Sequence, residues 1–254
     1  MVKPYYEDDS VALFHGDFRE ILPSLNLQPD LVIADPPYGE TSLDWDTWPD
    51  GWPSIVAEHA RSMWCFGSMR MFLERRDDFA DWSLSQDVVW EKHAGTGFAS
   101  DRFKRVHEHA LHWYRGPWGS VHHEALKEPS GGPNKGRTIK RGPTPHYGKQ
   151  GGKQGKVGWI DEGTRLVRSV IKARNMHGRA INETEKPPAI VQPLVEYGCP
   201  QGGLLIDVFS GSGVTGVVAK VTGRRAVLFE KRESQCESAA KRLSQDVLDF
   251  GSAS

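Results

Sequence analysis

The sequence Gly203-Leu204-Leu205-Ile206-Asp207-Val208-Phe209-Ser210-Gly211-Ser212-Gly213 joins an apolar run to a glycine-rich turn. Residues 214–221 are small and apolar and predict a helix, and the apolar run 226–229 predicts a second strand that ends in Glu230. Together these elements form a βαβ unit of the kind that binds an adenosine-type cofactor. The glycines let the backbone come close to the ligand, and the terminal acid accepts hydrogen bonds from ribose hydroxyls. A phosphate-binding loop is disfavoured because no Lys-Ser or Lys-Thr pair follows the glycines.

A second motif lies far upstream. The apolar run Leu31-Val32-Ile33-Ala34 predicts a short buried strand, and Asp35-Pro36-Pro37-Tyr38 follows at its carboxyl end. Asp35 can accept one N–H of a planar amine, and the carbonyl of Pro36 can accept the other because the prolines fix the backbone. Tyr38 offers a ring face for stacking. The alternative is a strand that ends in a proline turn with an incidental Asp, since both residues are common in turns.

These two motifs, in this order, resemble those of the amino-methyltransferases of DNA, in the adenine-specific DPPY type of the permuted beta group. Asp35 to Tyr38 matches the catalytic motif, and Asp207 to Gly213 matches the cofactor motif. The resemblance covers nearly the whole chain except the segment around 116–180. The further matches are Thr184-Glu185-Lys186-Pro187, His15-Gly16-Asp17-Phe18, Trp64-Cys65-Phe66-Gly67-Ser68, Trp90-Glu91-Lys92 and His107-Glu108.

The resemblance implies methyl transfer from S-adenosylmethionine to the exocyclic 6-amino group of adenine in duplex DNA, after the target base is flipped out. The implied catalytic residues are Asp35, Pro36, Pro37 and Tyr38. The implied cofactor-binding residues are Asp17, Phe18, Asp35, Thr184, Lys186, Asp207, Phe209, Gly211, Gly213 and Glu230. Relatives of this group often pair as dimers, so a homodimer is compatible with the sequence. No metal is expected.

The target amine stays open at this stage. Within the family, Asp at the first motif position indicates adenine, whereas Ser indicates cytosine. The alternatives are cytosine 4-amino methylation of DNA, methylation of an RNA base, and a catalytically idle DNA-binding protein that kept the fold. The idle protein would be expected to lose Asp35 or Glu230, and both are present.

The net charge of −1 conceals a strong asymmetry. Residues 127–179 contain thirteen Lys and Arg against three acids, a net charge of +10, so the rest of the chain carries about −11 by difference. Residues 130–158 contain nine glycines and three prolines, which predicts a mobile segment without its own core. We expect residues 116–180 to be a target-recognition insert that binds DNA phosphates, although a solvated basic insert without a partner would look similar. The expected DNA-binding residues are Lys135, Arg137, Lys140, Arg141, Lys149, Lys153 and Lys156.

Alternating strands and helices predict an α/β fold, a doubly wound and mostly parallel sheet of the Rossmann-like methyltransferase type in circularly permuted order. Residues 1–115 would form the catalytic half of the domain, and residues 181–254 the cofactor-binding half. The predicted strands are 11–15, 31–35, 63–66, 85–90, 106–114, 203–207 and 226–229. The predicted helices are 19–25, 52–61, 69–79, 164–174, 189–197, 214–221 and 233–248.

Several other classes of protein are disfavoured. Cytosine C5 methylation needs a cysteine nucleophile, usually in a Pro-Cys pair, but here Cys199 precedes Pro200. A zinc deaminase would need a Pro-Cys-x-x-Cys partner for His107-Glu108-His109, and the histidines show no metal-ligand spacing. Three scattered cysteines indicate a reducing interior. The first nine residues lack the apolar core of a signal peptide, and no apolar run is long enough to span a membrane. We therefore expect a cytoplasmic, prokaryotic or phage-encoded protein.

Overall fold

The structure is a computed structural model that describes residues 2–96, 100–130, 138–140, 158–160, 162–174 and 185–245. The strands are Tyr6–Glu7 (β1), Val11–His15 (β2), Leu31–Ala34 (β3), Ser62–Gly67 (β4), Ser83–Thr96 (β5), Arg105–Tyr114 (β6), Lys127–Pro129 (β7), Thr138–Lys140 (β8), Gly158–Ile160 (β9), Thr164–Leu166 (β10), Val170–Ala173 (β11), Leu204–Asp207 (β12) and Arg225–Glu230 (β13). The α-helices are Phe18–Ile21 (α1), Trp52–His59 (α2), Met69–Glu74 (α3), Pro188–Gly198 (α4), Val214–Val221 (α5) and Glu233–Leu243 (α6). Short 3₁₀ helices lie at Leu22–Leu25, Arg76–Phe79 and Trp118–Ser120.

One nine-stranded sheet organises the larger unit, in the order β1-β2-β13-β12-β3-β4-β6-β5-β11. Strands β2, β13, β12, β3 and β4 are mutually parallel, and β6 runs antiparallel to both β4 and β5. The expected α/β class and mostly parallel sheet are confirmed. The strand that precedes Asp35 lies directly beside the strand that ends in Asp207, with Ile33 opposite Asp207.

The parallel pairing brings the predicted site residues to one edge of the sheet. Asp207 pairs in register with Leu228, and Glu230 pairs with His15, so β12, β13 and β2 end together. Strand β3 ends at Ala34, immediately before Asp35. Ligands of open α/β sheets bind beyond the carboxyl ends of such strands, where the strand order reverses.

The core lies on both faces of this sheet. Successive residues of β3 belong to different clusters: Leu31 and Ile33 pack with α4, α5 and α6, whereas Val32 and Ala34 pack with α1, α2 and α3. All four residues are buried. A strand covered on both faces must be apolar throughout, which is why this run lacks the alternation of a half-exposed strand.

The glycine turn before α5 depends on its backbone conformation. Gly213 is the residue before the helix and has a φ of 75°. Its N–H donates to the carbonyl of Ser210 at 2.8 Å, which closes the turn. A non-glycine residue is strained at this φ. An added Cβ would also lie 3.1 Å from the Cβ of Ala239 on α6, so the position is crowded.

Residues Ala125–Arg168 form a second, smaller compact unit. Within it, β7 pairs antiparallel with β10, and β8 pairs antiparallel with β9. Residues from Ser169 onward belong to the larger unit, in which β11 pairs in parallel with β5 of the main sheet.

The predicted basic helix at 164–174 is wrong. The structure has strands β10 and β11 there, since Val170 and Ile171 align with Val89 and Trp90 at the sheet edge. The indole N–H of Trp90 also donates to the carbonyl of Ala173 at 3.0 Å. The other predicted helices are present but several end earlier. Helix α2 stops at His59, and α3 stops at Glu74 before a 3₁₀ turn. Within the described ranges, no helix combines the length and apolar content that crossing a bilayer requires.

We expect Gly213→Ala to lower the free energy of unfolding by about 1–2 kcal/mol, because alanine is strained in the left-handed region. Urea denaturation followed by circular dichroism measures this change. Gly119→Ala is the matched control, since Gly119 has open space at its Cβ position and no positive φ. Equal stability of the two variants would contradict this account of the turn.

Candidate active site

A cavity of about 590 Å³ opens at the carboxyl edge of the main sheet. Its lining includes Asp35 and Pro37 from the first motif and Asp207, Phe209 and Gly211 from the second. Two motifs that are far apart in sequence therefore face one cavity. Asp17, Phe18, Lys186 and Glu230 also line it.

Asp207 is a buried acid at the base of the glycine turn. One carboxylate oxygen accepts from the backbone N–H of Phe209 at 3.0 Å, and the other accepts from the hydroxyl of Thr215 at 2.5 Å. Burial raises the pKa of Asp207 to about 7, although these hydrogen bonds oppose the rise. The acid thus fixes the strand-to-turn geometry and contributes a titratable group to the cavity.

Glu230 connects the end of β13 to the glycine turn. Its carboxylate accepts from the N–H of Gly211 at 2.9 Å and from the N–H of Arg232 at 2.8 Å. A carboxylate has about four acceptor positions, so Glu230 can still accept hydroxyl protons from a ligand. This arrangement suits an acid that binds a ribose.

The turn after β2 contributes an acid and an aromatic ring. Asp17 caps α1, and its carboxylate is bound by Arg19 at 2.6 Å and by Lys231 at 3.2 Å. The hydrogen bonds from Arg19 hold the pKa of Asp17 well below its usual range. Phe18 is buried and packs edge-to-face on Phe209, with ring centroids 5.5 Å apart.

Asp35 is held between a lysine and a tyrosine. Lys186 Nζ lies 2.6 Å from Asp35 Oδ2, and the Tyr38 hydroxyl donates to Asp35 Oδ1 at 2.9 Å. The Asp35 side chain is 24% exposed, whereas that of Lys186 is 7% exposed, so the acid is the more accessible partner. Burial raises the pKa of Asp35, although Lys186 opposes the rise.

Lys186 also faces a second acid. Its Nζ lies 3.4 Å from Glu108 Oε2, and Lys92 forms an ion pair with Glu108 Oε1. Burial alone would raise the pKa of Glu108, but Lys186 and Lys92 lower it to about 2. The resemblance to the family included Lys92 and Glu108 but implied no role in the site for either residue. Charge alone did not single them out, because β5 and β6 carry other charged or titratable residues, among them Asp87, Glu91 and His107.

The loop between β3 and α2 forms one wall of the cavity. Asp46 accepts from the backbone N–H groups of Gly39, Glu40 and Thr41, which folds the loop on itself. Trp45 lines the cavity, and the guanidinium of Arg232 lies over its ring at 5.1 Å.

The remaining predicted residues lie nearby or outside the described residues. Tyr38, Pro36 and Gly213 do not line the cavity: Tyr38 contacts Asp35 through its hydroxyl, Pro36 is buried, and Gly213 precedes the first residue of α5. Thr184 lies outside the described residues, as do Lys135, Arg137, Arg141, Lys149, Lys153, Lys156 and the side chain of Lys140. Among the described residues, no group of His, Cys, Asp and Glu side chains could hold a metal ion.

Known proteins resemble this chain over most of its length. A family profile described as DNA methylase matches residues 29–241. The chain belongs to the DNA methylase family of N6 and N4 amino-methyltransferases.

The type II methyltransferase M.ScaI of Streptomyces caespitosus is 27% identical to this methylase over 273 residues, covering 96% of this chain and 85% of that protein. The crystal structure of the M1.HpyAVI–SAM complex matches the methylase with a TM-score of 0.61 at 18% identity, covering 92% of this chain and 100% of that one. The PvuII DNA methyltransferase, described as cytosine-N4-specific, matches with a TM-score of 0.66 at 14% identity. The match covers 97% of this chain and 91% of that one. The resemblance to DNA amino-methyltransferases is therefore confirmed.

The cofactor of this methylase is S-adenosylmethionine. The cavity residues fit such a molecule, which combines an adenosine with an amino-acid end. Ser210 Oγ is buried and has no hydrogen-bond partner among the described residues, so a polar ligand group could satisfy it. The aromatic residues Phe18 and Phe209 and the acid Glu230 complete a wall that is partly apolar and partly polar.

We expect Asp207→Asn to flatten the pH dependence of stability of the cofactor-free methylase. Asp207 keeps its proton up to about pH 7 in the folded state. In the unfolded chain it loses the proton near pH 4, at about its ordinary pKa. The folded state therefore binds more protons between these values, and this group makes stability fall as pH rises, by about 4 kcal/mol at most. Urea unfolding at several pH values from 4 to 8 measures the difference between wild type and variant. If the stability of wild type and variant changed with pH in the same way, the raised pKa of Asp207 would be contradicted.

Proposed function

We propose that this DNA methyltransferase methylates the exocyclic 6-amino group of adenine in duplex DNA, after the base has been flipped into the cavity. The observation that carries the proposal is the shared cavity, in which Asp35 of the first motif faces the space lined by Asp207, Gly211 and Glu230. A base that stays stacked inside a duplex cannot place its amine in this cavity, so it must leave the stack. Adenine is favoured by Asp at the first position of the motif.

The proposed cofactor residues hold S-adenosylmethionine along the second motif. Glu230 accepts hydrogen bonds from the ribose hydroxyls. Asp207 and Phe209 line the part of the site that binds the methionine end. Asp17 and Phe18 contact the adenine. Gly211 offers close backbone approach beside Glu230. Thr184 and Lys186 complete the set on the segment before α4. When bound, S-adenosylmethionine supplies a methyl group on a positively charged sulfur, which an amine nitrogen can take with its lone pair to leave neutral S-adenosylhomocysteine.

The proposed catalytic residues act on the amine. Its lone pair is delocalised into the ring, which makes the nitrogen a poor nucleophile. Asp35 and the carbonyl of Pro36 accept its two hydrogens in a non-planar arrangement that localises the lone pair. Pro37 fixes this backbone, and the ring of Tyr38 stacks on the base. Positive charge builds on the nitrogen during transfer, so the Asp35 carboxylate stabilises the transition state more than the ground state. Asp35 is positioned to accept the proton that the nitrogen then loses.

The basic segment is proposed to contact the DNA backbone. The net charge of +10 over residues 127–179 suits a surface that neutralises phosphates. We assign this role to residues 116–180 as a target-recognition part, flanked by the catalytic half at 1–115 and the cofactor half at 181–254. Lys135, Arg137, Lys140, Arg141, Lys149, Lys153 and Lys156 are its proposed phosphate contacts.

A cytosine 4-amino target is the second candidate. The PvuII enzyme that shares the fold is described as cytosine-N4-specific, and the same carboxylate and carbonyl acceptors suit either exocyclic amine.

We expect Asp35→Asn to lower the single-turnover rate of methyl transfer by about 10²–10³-fold, because the amide cannot stabilise positive charge on the nitrogen. The measurement is tritium incorporation from labelled S-adenosylmethionine into unmethylated DNA. Calorimetry measures the cofactor affinity of the same variant, and the rate is measured at saturating cofactor, because a loss of uniform binding raises KM without lowering the rate at saturation. Asp81→Asn, at an exposed acid, is the control. Tritium incorporation by the Asp35 variant at the wild-type rate would contradict the proposed mechanism.

We expect the product base to be N6-methyladenine. DNA treated with the enzyme is digested to nucleosides, which are separated and identified by mass spectrometry. Finding N4-methylcytosine instead would establish the second candidate and overturn the adenine assignment. Parallel incubation with RNA tests the remaining base-methylation alternative, because RNA differs from DNA in the 2′-hydroxyl that a protein can recognise.

A further inference from the structure

Four charged side chains form a continuous line from the edge of the sheet to the cavity. Lys92 on β5 pairs with Glu108 on β6, and Glu108 faces Lys186, which in turn binds Asp35. The side chains of Lys92, Glu108 and Lys186 are 13%, 12% and 7% exposed, so water screens these charges little. The four charges therefore interact strongly, and removing one of them changes the electrostatic energy of the others.

The geometry of β5 and β6 explains how the line reaches Asp35. Trp90 on β5 pairs with Glu108 on β6, and Gly67 on β4 pairs with His109 on β6. Because β6 runs antiparallel to both neighbours, its first residues lie at the same edge as the carboxyl ends of β4 and β5. Glu108 is thereby placed beside the segment that carries Lys186.

The charges next to Asp35 determine how strongly its carboxylate can accept a hydrogen bond from a substrate amine. Asp35 and Lys186 alone are a neutral pair, in which the lysine competes with any other donor for the carboxylate. Glu108 adds a second negative charge near Lys186, and Lys92 offsets it from farther away. Without Glu108, two buried lysines and one acid would leave a positive site, which opposes positive charge on the reacting nitrogen.

We propose that Glu108 is a positioning residue for methyl transfer, which divides the charge of Lys186 between two carboxylates so that Asp35 stays a strong acceptor for the target amine. Lys92 holds Glu108 in place. This inference rests on the proposed function and deepens it, because it adds residues outside the two motifs to the same site. Glu108 acts through Lys186 and does not line the cavity.

Asp35 also faces titratable groups on other segments. Among the described residues they are Tyr38 after β3, Cys65 on β4 and Asp207 on β12, besides Lys186 and Glu108. Burial raises the pKa of Asp35 first of all, Lys186 lowers it, and Glu108 raises it again. Opposite shifts are therefore expected when Lys186 and Glu108 are neutralised separately.

The test measures single-turnover methyl transfer against pH at saturating S-adenosylmethionine. Glu108→Gln should lower the plateau rate by about tenfold, less than the loss of a group that touches the substrate. Its acid limb should move to lower pH, because the charge that raises the pKa of Asp35 is gone. Lys186→Met should move the acid limb to higher pH.

The double variant Lys92→Met/Glu108→Gln separates electrostatics from packing. It removes one charge of each sign, so it should transfer methyl about threefold or more faster than Glu108→Gln alone. A purely structural role predicts a double variant at least as impaired as the single one. Glu91→Gln is the control: Glu91 pairs with Lys172 at 3.0 Å, both side chains are exposed, and both rate and pH profile should match wild type.

The outcomes are distinct. If Glu108→Gln fails to fold, the double variant is compared with wild type instead: transfer within about threefold of wild type supports the electrostatic role, and a loss of about tenfold or more overturns it. Unmoved acid limbs in the folded variants, or no recovery in the double variant, would overturn the role of Glu108. A wild-type enzyme that does not methylate a DNA amine would overturn the proposed function instead.

Discussion

The parallel pairing of β2, β13, β12 and β3 is the constraint on which the site depends. Strands that run in one direction and in register must end at one edge, and each of these ends in or next to a polar residue: His15, Glu230, Asp207 and Asp35. The apolar residues that precede them are buried on both faces, so a slip in register would move hydrophobic side chains out of their clusters. The packing of the core thus fixes the spacing of the carboxylates.

The carboxylates at this edge are kept in different states by their neighbours. Asp207 is buried with neutral hydrogen-bond donors, and its pKa rises to about 7. Glu108 is buried beside two lysines, and its pKa falls to about 2. Burial raises the pKa of Asp35, and Lys186 opposes the rise. Low dielectric amplifies each neighbour, so residues with the same functional group can serve structure, charge balance and chemistry within one site.

Much of the fold was predictable because its signals are local. The helix at 214–221 and the strands at 11–15 and 106–114 follow from apolar periodicity and glycine positions, and the structure places them within a residue of the predicted bounds. The helix predicted at 164–174 was wrong because a basic, partly apolar segment fits a helix or an edge strand equally well by pattern. Residues 170–173 form a strand because they pair with the edge of β5. No local sequence pattern reveals that this edge is available.

The sequence by itself determined the two motifs, their order and therefore the family, because these depend on residue types at fixed spacing. Tertiary structure alone decided that Lys186 binds Asp35, that Glu108 and Lys92 continue the line of charge, and that the Tyr38 hydroxyl contacts the acid. The ion pairs join residues from different parts of the chain, whereas Tyr38 lies three residues after Asp35. The strength of all these contacts depends on burial. Neither distance nor burial is encoded in any short segment, since both arise only when the strands pair and the helices cover them.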